Sequence, residues 1–207
     1  MLKKDSEAKQ KVSDSGEFAN MIRMNWKDKE LLFETNGALF SPRYPDPGTL
    51  FMLRSVDFSD TDKVLDLGCG YGLVGVIAAL TVPAENVFMT DSDPLAVEFS
   101  RRNLVRNEIS GATVVLGNSF EAIRETGFSL ILSNPPYHTD FSIAKSFIEK
   151  GFNRLMLGGK MIMVTKRRDW YKNKLAAIFG GVRIFEEEGY FLFISEKRSP
   201  TYASKNK

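Results

Sequence analysis

Two rhythms of apolar residues divide the chain. Around "MIRMNW" and "ELLFET" apolar and polar residues alternate on either side of a short charged turn, "KDK", and a period of two flanking a turn predicts a β-hairpin over about residues 20–36. From Thr61 onward the rhythm changes to short apolar runs separated by helical stretches: "KVLDLG", "LVGVIAALTV", "NVFMTD", "PLAVEFSRRNLVRN", "ATVVLG", "FSLILS", "FSIAKSFIEKGFNRLML" and "KMIMVT". Strands that alternate with helices predict a parallel sheet covered on both faces, which is why such strands read as unbroken apolar runs. The last stretch breaks this rhythm. In "VRIFEEEGYFLFISEK" two apolar runs flank an acidic turn with Gly189 and nothing helical lies between them, which predicts an antiparallel hairpin closing one edge of the sheet. The expected fold is α/β, a doubly wound, mostly parallel sheet with an antiparallel edge hairpin, preceded by a small β-hairpin.

Length and composition narrow the class further. With 207 residues, 43% of them hydrophobic, the chain can bury one good core, and a single domain is expected over residues 18–198. Residues 1–17 are polar and aperiodic and residues 199–207 form a basic tail, so both ends are expected to be mobile. A net charge of +2 permits an anionic partner without pointing to one. The single cysteine, Cys69, excludes an internal disulfide framework and a multi-cysteine zinc site and fits a reducing compartment; no metal is expected. The opening "MLKKDSEAKQKVSDSGEF" is charged throughout and has no apolar segment. Neither a signal peptide nor a membrane span is read there, and a cytoplasmic monomer is the expectation.

Candidate chemistry begins where "KVLDLGCGYG" runs into the helix "LVGVIAAL". Gly68, Gly70 and Gly72 fall where the chain must turn sharply and let a ligand approach its backbone. Gly70-Tyr71-Gly72-Leu73-Val74-Gly75 also matches G-x-G-x-x-G with Asp91 about 20 residues on, the fingerprint of a nicotinamide dinucleotide site. Asp66 speaks against that match, because a carboxylate before the loop repels two phosphates and favours a ligand bearing an ammonium or sulfonium. Asp91 ends the second strand, where an acid commonly accepts hydrogen bonds from both hydroxyls of a ribose, and Ser92 follows on the same loop. After the third strand, Asn118 and Ser119 are placed to read an adenine edge and Phe120 to cover its face. A cation, a ribose and an adenine in one molecule describe S-adenosylmethionine, with Cys69 in the loop that cradles it. The plainer roles are a helix cap for Asp93 before Pro94 and a place in the core for Phe120.

The fourth strand, "FSLILS", ends in Asn134-Pro135-Pro136-Tyr137. Prolines cannot donate to a sheet, so a rigid turn stands where, in a doubly wound sheet, the fourth strand's carboxyl end adjoins the first's. Methyl transfer from a sulfonium has a neutral leaving group and needs chiefly an in-line nucleophile held near contact distance. The Asn134 side-chain oxygen and the Pro135 carbonyl are candidate acceptors for the two hydrogens of an exocyclic amine, with Pro136 stiffening the turn and Tyr137 stacking on a planar substrate. The plain alternative is a strand-ending turn with a capping tyrosine. His138, the only histidine, is a candidate contact to a base or a phosphate. Lys166, Arg167 and Arg168, at the end of the fifth strand, are candidate phosphate contacts together with Arg43 and the tail, and equally describe a merely solvated charge run. Arg101, Arg102 and Arg106 read as the wet face of a helix.

In this order the motifs resemble the class I S-adenosylmethionine-dependent methyltransferases from about Leu31 to Arg198, and among them the ribosomal RNA small-subunit methyltransferase C family of guanine-N2 methyltransferases. The resemblance is carried by "GALFSPRYPDPGTL", "DLGCGYG", "DSDPLAVEFSRRNL", "SNPPYH", "GGKMIMV" and "EEGYFLFISEKR". It implies a seven-stranded Rossmann-like sheet, S-adenosylmethionine as cofactor and methyl transfer to the N2 amine of a guanine in ribosomal RNA, with the base flipped into the pocket. The upstream segment resembles a family element that folds over the methionine end of the cofactor, which implies that Asp46, Gly48 and Thr49 line the site. By residue type alone they equally describe a turn into a helix capped by Asp46, with Pro47 at its first position. Pro47 and Thr49 depart from the family pattern, and many relatives carry phenylalanine or isoleucine where this chain has Tyr137. Longer members carry a degenerate amino-terminal copy of the domain, so RNA docking here is expected to rest on the hairpin, the tail or the ribosome. "NPPY" also occurs in adenine-N6 and in protein-glutamine (release factor) methyltransferases, which stand as the alternative readings; the glutamine family's helical amino-terminal domain is not what the hairpin pattern predicts.

Overall fold

In the computed structural model, which describes residues 19–117, 120, 122–136 and 141–203, the alternating segments pair as an antiparallel hairpin, β1 (Ala19–Trp26) and β2 (Lys29–Asn36). Ile22, Leu31 and Phe33 are buried, as a ribbon with one covered face requires. The segment over residues 1–17 lies outside the described residues. Helix α1 (Pro47–Arg54) follows, with Asp46 as its N-cap and Pro47 in its first turn. Then come β3 (Val64–Leu67), α2 (Leu73–Ala78), β4 (Val87–Asp91), α3 (Pro94–Arg106), β5 (Thr113–Leu116), β6 (Phe128–Ser133), α4 (Ser142–Arg154), β7 (Leu155–Thr165), α5 (Arg168–Phe179), β8 (Arg183–Glu187) and β9 (Tyr190–Glu196).

The strands from β3 onward form one seven-stranded sheet in the order β5-β4-β3-β6-β7-β9-β8. Strands β3 to β7 run parallel and β9 is antiparallel to both β7 and β8, the mostly parallel sheet with an antiparallel edge that the apolar pattern predicts. Successive residues of β3 serve opposite faces: Val64 packs with Phe33, Met52, Ile77 and Leu132, whereas Leu65 and Leu67 pack with Phe128, Ile131, Phe152 and Phe193. Each fully buried side chain of this kind contributes about 1.5–3 kcal/mol. Because the chain leaves β3 for β4 on one side and reaches β6 on the other, a crevice opens at the carboxyl ends of these three strands. Among the described residues no helix is long and apolar enough to cross a membrane.

Hairpin and sheet are joined by a ladder that no local pattern announces. Asn103 Oδ1 accepts from the Glu34 amide at 2.7 Å while its Nδ2 donates to the Glu34 carbonyl at 2.8 Å, and Asn107 does the same for Leu32 at 3.0 and 2.8 Å. Two side-chain amides one helical turn apart thereby act as a neighbouring strand for the outer edge of β2. Arg102 and Arg106 both reach the Glu34 carboxylate, at 3.0 and 2.7 Å. All three arginines are exposed, as a wet helix face requires, and the docked hairpin adds an acid that faces the helix at Arg102 and Arg106. Arg101 likewise donates to the Val114 carbonyl at 2.8 Å. Asn103 is fully buried and also donates to the Tyr71 carbonyl at 2.8 Å, tying the hairpin to the glycine loop. Asn103→Ala strands buried backbone groups of both and is expected to cost about 2–3 kcal/mol, read as a lower urea midpoint; an unchanged midpoint would show the ladder to be dispensable.

Three expectations are revised. The helical stretch "FSIAKSFIEKGFNRLML" stops at Arg154, and Leu155 instead pairs with Phe128 at the start of β7. Gly159 permits this: a Cβ there would lie 2.7 Å from the Phe128 carbonyl oxygen. Helix α5 was not anticipated, although Tyr171, Leu175, Ile178 and Phe179, all buried, have the spacing of one helical face. The basic carboxyl end is docked rather than loose through residue 203. Lys197 Nζ donates to the Leu155 carbonyl at 2.8 Å, and the Tyr202 hydroxyl donates to the Glu149 carbonyl at 2.9 Å while its ring packs edge-on against Phe152.

Candidate functional site

A cavity of about 270 Å³ occupies the crevice at the ends of β3, β4 and β6. Its walls are the loop Gly68–Tyr71, the loop Asp91–Asp93, the turn Asn134–Pro136, the segment Ala38–Ser41, the start of α1, and Ile143 and Phe147 of α4. The glycine loop is pinned to β4, since the Gly68 and Cys69 amides both donate to the Thr90 carbonyl at 2.9 and 3.0 Å. Gly72 has φ +95° and a Cβ there would meet Ser100 Cα at 3.1 Å, so only glycine allows both this turn and the close approach of α3. Cys69 is buried against Ser100, Sγ to Oγ 3.3 Å, and burial together with Asp66 pushes its thiol well above the ordinary value. That environment makes it a wall of the cavity and not a nucleophile.

The two acids expected to read the ligand stand in this cavity. Asp66 is 2% exposed, and its Oδ2 accepts from the Gly75 amide at 3.1 Å. Burial lifts its pKa from 3.8 to about 7, against the lowering effect of that hydrogen bond and with a smaller push from Asp91. Asp91 accepts the Gly70 amide on Oδ2 at 2.9 Å and the Asp93 amide on Oδ1 at 3.0 Å, leaving each oxygen a further lone pair toward the cavity. Ser92 lies on the rim and Asp93 caps α3 through the Leu95 amide, as its position before Pro94 predicts.

At the other end of the cavity four side chains from three distant segments form one hydrogen-bonded cluster. Asn134 Nδ2 donates to Asp46 Oδ2 and to Thr49 Oγ1, both at 2.9 Å. Asp46 Oδ2 also accepts from the Thr49 amide and hydroxyl at 2.8 and 3.2 Å, and its Oδ1 accepts from the Tyr190 hydroxyl at 3.0 Å. The carboxylate only accepts, so the amino side of Asn134 must face it. Asn134 Oδ1 is left buried with no hydrogen-bond partner among the described residues, and Asn134, Pro135 and Pro136 all line the cavity. A buried acceptor of this kind costs about 1–3 kcal/mol until a donor reaches it, and it can serve only a group carrying hydrogen.

Both readings of the upstream segment hold together: Asp46 caps α1 and, with Thr49, lines the cavity. Gly48 has a different task from the one expected. It does not line the cavity, and a Cβ there would meet the Tyr190 ring at 2.3 and 2.5 Å. Gly48→Ala should push that ring from Asp46 and cost about 1–3 kcal/mol in a thermal or chemical melt; a melt like wild type would mean that the ring relocates freely. Phe120 is corrected to the core: it is 3% exposed, packs in the cluster of Phe128, Ile131 and Phe152, and is absent from the cavity wall. Asn118, Ser119, Tyr137 and His138 lie outside the described residues. Of the candidate phosphate contacts, Arg43 is exposed beside the Ala38–Ser41 wall. Lys166 Nζ sits 4.7 Å from the Tyr190 ring centre, Arg167 lies 5.0 Å from that of Phe141, and Arg168 opens α5 beside Asp169. Tyr190 is the residue that spacing and motif missed. Its only signal was an aromatic directly after the Gly189 turn, indistinguishable there from a core residue.

Comparison with known proteins converges on one group. The family model for the methyltransferase small domain matches residues 30–195. A ribosomal RNA large subunit methyltransferase G from Psychromonas ingrahamii is 26% identical over 84% of the chain and 48% of its own length. A ribosomal RNA small subunit methyltransferase C from Actinobacillus pleuropneumoniae is 36% identical over 77% of the chain and 50% of its own length. The chain thus spans about half the length of the curated relatives it matches. Among solved structures, a T. thermophilus 16S rRNA N2 G1207 methyltransferase in complex with AdoMet and guanosine superposes with a TM-score of 0.78 at 25% identity, over 86% of this chain and 50% of that one.

Proposed function

The chain belongs to the methyltransferase small domain family, and from that premise we propose that it transfers the methyl group of S-adenosylmethionine to the exocyclic N2 amine of a guanine in ribosomal RNA. The observation that carries this reading is the Oδ1 of Asn134, buried and without a hydrogen-bond partner among the described residues, on a residue that lines the cavity and whose amide nitrogen is committed to two acceptors. An amine hydrogen satisfies it; a carbonyl or other pure acceptor is repelled.

Bound in the cavity, the cofactor supplies a methyl group on a positively charged sulfur. Asp66 is the anion buried at the glycine loop and takes the cationic part of the ligand, which restores its ionised form. Asp91 offers its spare lone pairs to the ribose hydroxyls, and the loop Gly68–Gly70 gives the ligand a backbone surface free of side chains. Asn134 Oδ1 and the Pro135 carbonyl accept the two amine hydrogens. Drawing on those hydrogens returns the nitrogen lone pair from the ring toward the methyl carbon, and fixing two bonds sets its direction. Transfer would leave the sulfur neutral and the amine cationic, and the surplus proton would pass to water, so the chain's residues would have to hold and orient the amine without acting as a strong base. Tyr137 keeps its proposed place against the base, His138 its place on the base or a phosphate, and Asn118 and Ser119 theirs against the adenine. Arg43, Lys166, Arg167 and Arg168 keep theirs on phosphates.

Labelled cofactor incubated separately with undermethylated small and large ribosomal subunits, naked ribosomal RNA and a release factor tests the reading. Nucleoside analysis of the labelled RNA is expected to yield N2-methylguanosine. Label confined to release factor, or recovered as N6-methyladenosine, would replace the guanine assignment with one of its rivals.

A further inference from the structure

The segment joining β2 to α1 turns different residues inward and outward. Leu39 and Asp46 are buried and, with Ala38, Phe40 and Ser41, line the cavity; Phe40 is also 49% exposed, and beyond it Tyr44 is 77% exposed with Arg43 exposed between them. This crest is stiff. Prolines at 42, 45 and 47 limit it, Ser41 sits at φ +51° and donates from Oγ to the Tyr44 carbonyl at 2.9 Å, and Thr35 Oγ1 donates to the Pro42 carbonyl. Asn36 binds both the Ala38 amide, through Oδ1, and the Leu39 amide, through its carbonyl. A left-handed conformation at a residue other than glycine costs free energy that a simple connection would avoid. The strained, braced loop presents aromatic rings to solvent, where they add nothing to the core.

We propose that Phe40, Arg43 and Tyr44 form a platform for single-stranded RNA, on which an unpaired nucleotide flanking the base in the cavity stacks against Tyr44 while Arg43 takes its phosphate. This rests on the reading of the cavity as a guanine site and extends it to the strand around the guanine. Taking one base out of a stack leaves its neighbours with bare faces, and exposed aromatic rings replace that stacking with little regard to sequence. The charges agree. The Tyr190 hydroxyl bonds the crest's Asp46, Lys166 lies on the Tyr190 ring and Arg167 on the Phe141 ring, so further cations accompany Arg43 near the Asp46 cluster. An alternation of flat apolar faces and anions along one strand is complementary to that arrangement, while a duplex keeps its base faces hidden. Holding the rings on a pre-stiffened loop also lowers the ordering cost of binding.

The test is the affinity of the full chain for a short unstructured RNA oligonucleotide containing one guanine, read by fluorescence anisotropy over a salt series. Tyr44→Ala is expected to weaken binding about tenfold without changing the salt slope, and Tyr44→Phe to restore wild-type affinity because the ring is kept. Arg43→Gln is expected to reduce the slope of log K against log salt by about 0.7. Calorimetric cofactor affinity serves as the fold control and should match wild type in Tyr44→Ala. Undiminished RNA binding by Tyr44→Ala, or a Tyr44→Phe variant as weak as the alanine one, overturns the proposal. A change of oligomeric state in sedimentation with RNA affinity intact also overturns it and makes the crest a protein interface. The binding assay needs no methyl transfer: RNA held through Tyr44 without guanine methylation sinks the proposed activity alone, and methylation with a dispensable Tyr44 sinks the platform alone.

Discussion

Asn134→Ala is expected to lower the rate of methyl transfer by about a hundred- to a thousandfold, the usual loss when one preorganised hydrogen-bonding group facing the reacting atoms is removed, while cofactor affinity and melting temperature stay near wild type. The split follows from position. Asn134 lines the cavity beside Asp46 and its Oδ1 has no hydrogen-bond partner among the described residues; in the proposed mechanism that oxygen serves the incoming amine. Asn134→Ala relieves an acceptor without a hydrogen-bond partner among the described residues but also removes the two bonds that Nδ2 gives to Asp46 and Thr49, and these two effects on stability oppose each other. Asp46→Asn should share the defect in part. An amide at 46 can donate as well as accept, so the orientation of Asn134 is no longer forced, and part of the population turns its amino group into the cavity. Single-turnover kinetics with saturating cofactor separate the outcomes. Turnover in Asn134→Ala within a few-fold of wild type would remove the amine clamp, and a loss traced wholly to weaker cofactor binding would reassign Asn134 to the cofactor.

The second large effect is one of pH. With Asp66 at about 7 in the ligand-free protein and a cationic ligand binding its ionised form, apparent affinity for S-adenosylmethionine should climb about tenfold per pH unit from pH 5 and level off above pH 7. Proton release on binding, seen calorimetrically in buffers of different ionisation heat, should accompany the climb. The sign for stability is the opposite. The native state keeps this proton to about pH 7 whereas the unfolded chain releases it near 3.8, so the native state binds more protons between those values and ligand-free stability falls as pH rises through that window. Asp66→Asn can still accept from the Gly75 amide but has no charge to gain. It should bind the cofactor weakly at every pH, with the steep pH dependence gone and stability near neutrality no lower than wild type. A flat affinity profile for the wild-type chain between pH 5 and 8 would show that Asp66 does not meet the cation.

Residues whose placement follows from neighbours within a few positions were legible before the fold was known. The glycines after β3, Asp66 before them, Asp91 at the end of β4, Asp93 before Pro94 and Asn134 before two prolines each stand at a strand end or helix start, where local geometry and residue type suffice. Phe120 was not, because an aromatic after a strand serves equally as a ligand cover or as core, and only the proximity of Phe128 and Phe152 decides between them. The end of α4 was misplaced for a related reason. Leu155, Met156 and Leu157 continue a helical pattern, but pairing with Phe128 outweighs helix propensity, which is worth only tenths of a kcal/mol per residue. The partner of Arg102 and Arg106 was not legible because Glu34, the acid they hold, lies on a strand some seventy positions away.

The sequence by itself determined the doubly wound sheet, its antiparallel edge, the crevice at three strand ends and the identity of the amide placed there, since period, punctuation and the directional rules of parallel strands are local properties that propagate. The two ends of the Asn134 amide are nearly the same size, and nothing within reach along the chain distinguishes them. Tertiary structure broke that symmetry. Asp46 and Thr49 arrive from α1, and Tyr190 from the far edge of the sheet, to put a carboxylate on one side only, and electrostatics then turns the amide nitrogen to that carboxylate and the acceptor away from it.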